Sequence, residues 1–123
     1  MSTVLIVDDS ATAREMLSSI LQNVGMKVIE ARDGVEAQQK ISDNPPDIVV
    51  LDIIMPRMNG YDLCRWLKKT PNGHNIPVLM CSSKAEQFDR YWGIKQGADA
   101  YLAKPFHPSE LIETVKSLLR SLA

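Results

Sequence analysis

Short apolar runs bounded by turn residues alternate along this chain with longer segments in which apolar residues return every three or four positions. The first pattern marks strands and the second marks helices that pack by one face, so their alternation predicts a parallel sheet covered by helices. Strands are expected at Thr3–Val7, Lys27–Ala31, Asp47–Leu51, Pro77–Cys81 and Ala100–Ala103. Runs such as Val49-Val50-Leu51 and Val78-Leu79-Met80 show no polar alternation, which suits strands buried on both faces. The first helix lays Leu17, Ile20, Leu21 and Val24 along one stripe and ends at Gly25. Further helices read at Val35–Ser42, Tyr61–Lys69 and Glu86–Gln96, the last of these closed by Gly97. A fifth, Pro108–Leu122, carries Leu111, Val115, Leu118 and Leu122 on one face, with Pro108 suited to the first helical position.

Composition narrows the class. At 123 residues the chain has room for one domain with a core but not for two. With 45% hydrophobic and 24% charged residues it matches ordinary globular usage, which removes disordered, collagen-like and coiled-coil classes. A formal net charge of -1 gives no electrostatic reason to expect a nucleic-acid partner. The first apolar run is broken by Asp8 and Asp9 well before a signal sequence or membrane span could form, so no membrane insertion is expected and a cytoplasmic location is the natural one. Cys64 and Cys81 lack metal or disulfide spacing and are expected to be small buried hydrophobes.

The chemistry gathers at strand ends. In an open α/β sheet, reactive groups collect past the carboxyl ends of the strands, where strand order reverses. Asp8 and Asp9 follow the first strand here, Asp52 the third, Ser82 the fourth and Lys104 the fifth. Crowded carboxylates repel unless a cation neutralises them, and hard oxygen donors with room for water suit Mg²⁺. With that charge screened, a carboxylate can attack phosphorus, and Asp52 is the best placed nucleophile. The stretch from Asp52 to Gly60 reads as a tight loop, in which Pro56 fixes φ and Asn59-Gly60 tolerates left-handed backbone. Lys104-Pro105 is an X-Pro bond whose cis form would aim the Lys104 amine into the pocket.

These residues resemble the receiver domains of bacterial response regulators. The likeness is carried by Val7-Asp8-Asp9-Ser10, Asp52 to Gly60, Ser82-Ser83, Gly97-Ala98 and Tyr101-Leu102-Ala103-Lys104-Pro105, in the expected strand order over essentially the whole chain. The resemblance implies a flavodoxin-like (βα)5 three-layer sandwich with a parallel sheet of order 2-1-3-4-5, spanning residues 1–123 as one receiver domain without an output domain. It implies that Asp52 is phosphorylated by a histidine kinase or phosphotransfer protein. Asp8, Asp9, Asp52 and the Ile54 carbonyl would bind Mg²⁺, while Ser82 and Lys104 hold the phosphoryl oxygens. Ser82 and Tyr101 would act as the switch, altering the face built from the fourth helix, fifth strand and fifth helix for a downstream effector. Ile54 and Lys84 would flank the path of an attacking water and set the lifetime of the acyl phosphate. Tyr91 to Ala98 resembles stand-alone regulators of twitching motility or phototaxis, which share a Trp-Gly pair in this helix.

Each residue has a blander reading. An Asp pair ending a strand more often caps a helix or lines a turn, and only Asp52 and Lys104 at matching strand ends reverse that. Phe88, Tyr91 and Trp92 at helical spacing are read as core before they are read as a docking surface. His74 and His107 are read as loop and cap residues, and Asp33-Gly34 and Asn72-Gly73 as turns. An Asp-nucleophile phosphatase would resemble Asp-x-Asp, but position 54 is Ile. A flavodoxin-like cofactor carrier would need donors where the first loop is acidic.

Overall fold

The computed structural model describes residues 1–84 and 86–121, and the expected alternation is present throughout. In chain order the elements are β1 (Thr3–Val7), α1 (Ala11–Gln22), β2 (Lys27–Ala31), α2 (Gly34–Asp43), β3 (Ile48–Leu51), α3 (Gly60–Lys69), β4 (Val78–Ser82), α4 (Gln87–Lys95), β5 (Ala100–Ala103) and α5 (Pro108–Arg120). The strands form one parallel sheet of order β2-β1-β3-β4-β5. This is the flavodoxin-like order anticipated from the sequence. Leu122, assigned above to the apolar face of the fifth helix, lies outside the described residues.

The sheet is buried from both sides because successive strand residues point to opposite faces. Leu5, Val7, Val49 and Leu51 meet Leu63, Leu67 and Ile41 on one face, while Val4, Ile6, Ile48 and Val50 meet Leu17, Leu21, Leu111 and Val115 on the other. Cys64 and Cys81 are buried in these two layers, and burial pushes each thiol up to about 12, so both behave as hydrophobes.

Element boundaries shift where a specific bond decides them. Asp47 precedes β3 and accepts the Thr3 N–H through Oδ2 at 2.7 Å. Pro77 has no N–H to give, so β4 starts at Val78 and runs on to Ser82, paired with Ala103. Asp33 and Asn59 cap α2 and α3 by accepting the N–H groups of Glu36 and Asp62. His107 caps α5 as expected, in a reciprocal box with Glu110.

Two packing expectations fail. Val24 does not join the stripe of α1, because the helix closes at Asn23 and the chain turns through Gly25 at φ 87; the Met26 N–H then returns to the Leu21 carbonyl, and Met26 is buried instead. Phe88, Tyr91 and Trp92 are not core: they are 70%, 58% and 41% exposed. Helix α4 lies so close to the sheet that a Cβ on Gly93 would stand 2.8 Å from Met80 Sδ, so the contact is made at the glycine and the aromatics are turned outwards. Phe88 and Trp92, one turn apart, stack on each other with centroids 6.5 Å apart.

Strand β1, paired on both sides, is buried from Val4 to Val7. Leu5→Ala, at a fully buried position of β1, is expected to cost about 2–5 kcal/mol in urea unfolding, by lost transfer free energy and the cavity left behind.

Candidate functional site

Register places the acids. Val7 of β1 pairs with Leu51 of β3, so the residues that follow, Asp8 and Asp52, leave the sheet side by side at the point where strand order reverses. One carboxylate oxygen from each of Asp8, Asp9 and Asp52 lies within 4.8 Å of the others. Asp8 is buried, Asp52 is half-buried and Asp9 is open to solvent.

Each acid is held by backbone. Asp8 Oδ1 accepts the Ser10 N–H at 2.9 Å, and Asp52 Oδ1 accepts the Ile53 N–H at 2.7 Å. Ser10 caps α1, whose positive N-terminal end therefore begins directly after the acid pair. Arg14, one turn into α1, donates through Nη1 to the Asp8 carbonyl at 2.6 Å and through Nε to Glu30 of β2 at 3.2 Å, fixing the turn from behind.

Lys104 closes the site from β5. Its Nζ lies 2.9 Å from Asp8 Oδ2 and 3.8 Å from Asp52 Oδ2, so one ammonium touches both buried-edge acids. Burial opposes its charge, but the hydrogen bond to Asp8 and the charges of Asp8 and Asp52 outweigh it and hold the amine above its ordinary value. The amine is charged at neutral pH. The Lys104–Pro105 bond is cis.

Ser82 is fully buried at the end of β4, beside β5, where its carbonyl accepts the Lys104 N–H at 3.0 Å. Its hydroxyl accepts the Lys84 N–H at 3.2 Å, while the Tyr101 hydroxyl donates to the Lys84 carbonyl. Tyr101 thus faces the β4–α4 connection, and burial pushes its phenol up to about 12. Ile54 is 60% exposed in the loop after Asp52, between buried Ile53 and Met55.

The donor set fits a hard divalent cation. Three carboxylates in one small space carry more negative charge than the single ammonium cancels, and oxygen-only ligands favour Mg²⁺ over softer ions.

One pair escaped the sequence. Asp33, read as a turn residue, is 4% exposed and pairs with Arg57 in the loop after Asp52, accepting from Nε at 3.2 Å and from Nη2. The partners are 24 positions apart, so no local pattern signals them.

The chain belongs to the response regulator receiver domain family, whose model matches residues 4–116. It is 42% identical to protein PilG of Pseudomonas aeruginosa over 114 residues, which is 93% of this chain and 84% of that protein. It is 39% identical to the phosphate regulon transcriptional regulatory protein PhoB of the same organism over 118 residues, 96% of this chain but 52% of PhoB. The solved structure of the chemotaxis response regulator CheY4 of Vibrio cholerae superposes with a TM-score of 0.91 at 33% identity, covering 96% of this chain and 98% of that one. The protein is therefore a phosphoacceptor switch of two-component signalling and not a conventional enzyme. Receiver domains take phosphate from histidine kinases, bind Mg²⁺ at an acidic pocket and signal to effectors. Among the described residues no helix is long and apolar enough to cross a membrane.

The Asp33 carboxyl is held below its ordinary value of 3.8, first by the Glu36 N–H, against burial, and then by Arg57. A depressed folded value means that the ionised group stabilises the fold above the unfolded value, and that this is lost as pH falls through the folded one. Chemical denaturation should show Asp33→Asn less stable than the parent at neutral pH, with the gap closing as pH drops below about 4.

Proposed function

We propose that Asp52 is the phosphoryl acceptor and that Asp8, Asp9, Asp52 and the Ile54 carbonyl hold the Mg²⁺. The observation that carries this is the grouping of three carboxylates within 4.8 Å with Lys104 bridging Asp8 and Asp52. Bound Mg²⁺ supplies charge stabilisation to the phosphoryl oxygens. Asp52 forms the new O–P bond as the P–N bond of a phosphohistidine donor breaks and the imidazole leaves. Its Oδ1 is already oriented by the Ile53 N–H, so the carboxylate needs little rearrangement before attack. Lys104 is charged and able to turn from the acids to a phosphoryl oxygen, and the Ser82 hydroxyl is the second donor from the same edge.

The same reading makes Ser82 and Tyr101 the relay, since both engage Lys84, and sends the signal through the face of α4, β5 and α5 to an effector. The chain also catalyses loss of its own phosphoryl group, by water entering between Ile54 and Lys84, which are both exposed. A net charge of -1 favours a protein over a nucleic acid as partner, and a cytoplasmic setting goes with a histidine-kinase donor. A role in motility or taxis rests on the Tyr91 to Ala98 stretch and on the likeness to the chemotaxis regulator CheY4.

Incubation with a small phosphoryl donor and Mg²⁺, followed by intact mass, should add one labile phosphoryl group to the native chain and none to Asp52→Asn or to a chelated sample. A modified Asp52→Asn chain overturns the assignment.

A further inference from the structure

The loop that follows Asp52 is tied to a distant part of the fold by a single ionic link. Asp33, at the N-terminus of α2, is almost fully buried, and it holds Arg57 through both Nε and Nη2. Arg57 reaches it from φ 68, left-handed backbone that a residue with a Cβ occupies only when another interaction offsets the steric cost. Met58 leans the same way: it fills the space over Gly34, where a Cβ would stand 2.8 Å from Met58 Cβ. At its other end the loop is closed by the Gly60 N–H, which donates to the Ile53 carbonyl at 2.8 Å. Ile54 lies between these anchors with an exposed side chain, so its backbone is held by them together with the buried neighbours Ile53 and Met55, and not by its own packing.

We infer that the Asp33–Arg57 pair is a positioning element for the cation site, holding the backbone of residues 53–57 in one conformation before the cation arrives. The inference rests on the reading of Ile54 as a carbonyl ligand. Neither Asp33 nor Arg57 touches the carboxylates; they act by removing the ordering cost that a loose loop would add to binding. A pair that served stability alone would leave cation affinity unchanged once the chain is folded.

Calorimetric titration with magnesium chloride separates these cases, using the full chain, Asp33→Asn, Arg57→Gly and the double variant. Both substitutions preserve the fold for stated reasons: Asn caps a helix as well as Asp does, and glycine adopts φ 68 without penalty. Thermal melts verify that each is folded. Each single variant should bind Mg²⁺ about tenfold more weakly. The double variant should bind no more weakly than either, because both changes cut one link. Arg57→Lys, which keeps the charge but not the fork, should recover part of the affinity. In phosphorylation from a small donor, the Mg²⁺ concentration for half-maximal rate should rise far more than the saturated rate falls. Folded single variants that bind Mg²⁺ as the parent does, or losses that multiply in the double variant, would overturn the inference. Failure of the parent itself to bind Mg²⁺ would instead refute the reading of the acids on which it depends, so the two failures are distinguishable.

Discussion

Three like charges are gathered where one oxygen of each lies within 4.8 Å of the others, and this repulsion governs the rest of the site. At an effective dielectric of about 20, each such pair costs about 3–4 kcal/mol before solvent around exposed Asp9 screens it. The fold meets that cost with fixed donors: the Ser10 N–H on Asp8, the Ile53 N–H on Asp52, the N-terminus of α1 and the Lys104 ammonium. Those donors offset the repulsion without abolishing it. A concentration of negative potential is left at one edge of the sheet, which is what a hard divalent cation requires and what an anionic phosphoryl donor could not approach unaided.

Such a cluster is possible because the sheet is parallel and its order reverses at β1. Every strand delivers its carboxyl end to the same edge, and the connection from β1 runs outward to β2 while that from β3 runs the other way to β4, so the crevice between β1 and β3 stays open at their carboxyl ends. Lys104 and Asp8 are 96 positions apart yet meet at 2.9 Å. Their meeting depends on β4 lying between β3 and β5 in register, Ser82 opposite Ala103. The chemistry is therefore a consequence of strand order, and the buried apolar layers on both faces keep that order unique.

This explains what the sequence discloses. Asp8, Asp9, Asp52, Ser82 and Lys104 are legible because each sits at the end of an apolar run, and the period of the flanking segments dictates which edge those ends share. Asp33 and Arg57 are not, since a loop residue and a helix cap become partners only through packing of two loops. Val24 was misplaced because three-and-four spacing continues past the point where Asn23 and Gly25 end α1. The aromatics of α4 were misplaced for a different reason: spacing identifies a face but not its distance from the sheet. Gly93 lets the backbone come close and so turns Phe88, Tyr91 and Trp92 outwards.

That close approach has an energetic side. Helix α3 buries Leu63, Cys64 and Leu67, with each leucine contributing about 1.5–3 kcal/mol of transfer free energy, whereas the only residue α4 buries is Gly93. What holds α4 at its N-terminal end is largely polar and partly solvated: Lys84 against Asp89 at 3.6 Å, and Arg90 over the Tyr101 ring at 5.4 Å. An element anchored this way is displaced at low cost compared with one anchored by core side chains. Lys84 is the residue where such a displacement meets the site, because its N–H reaches the Ser82 hydroxyl while its carbonyl holds Tyr101. On the proposed reading, a phosphoryl group on Asp52 accepts the Ser82 O–H and draws the hydroxyl away from the Lys84 N–H that it now accepts. That movement is cheap because the helix downstream has little buried apolar area resisting it.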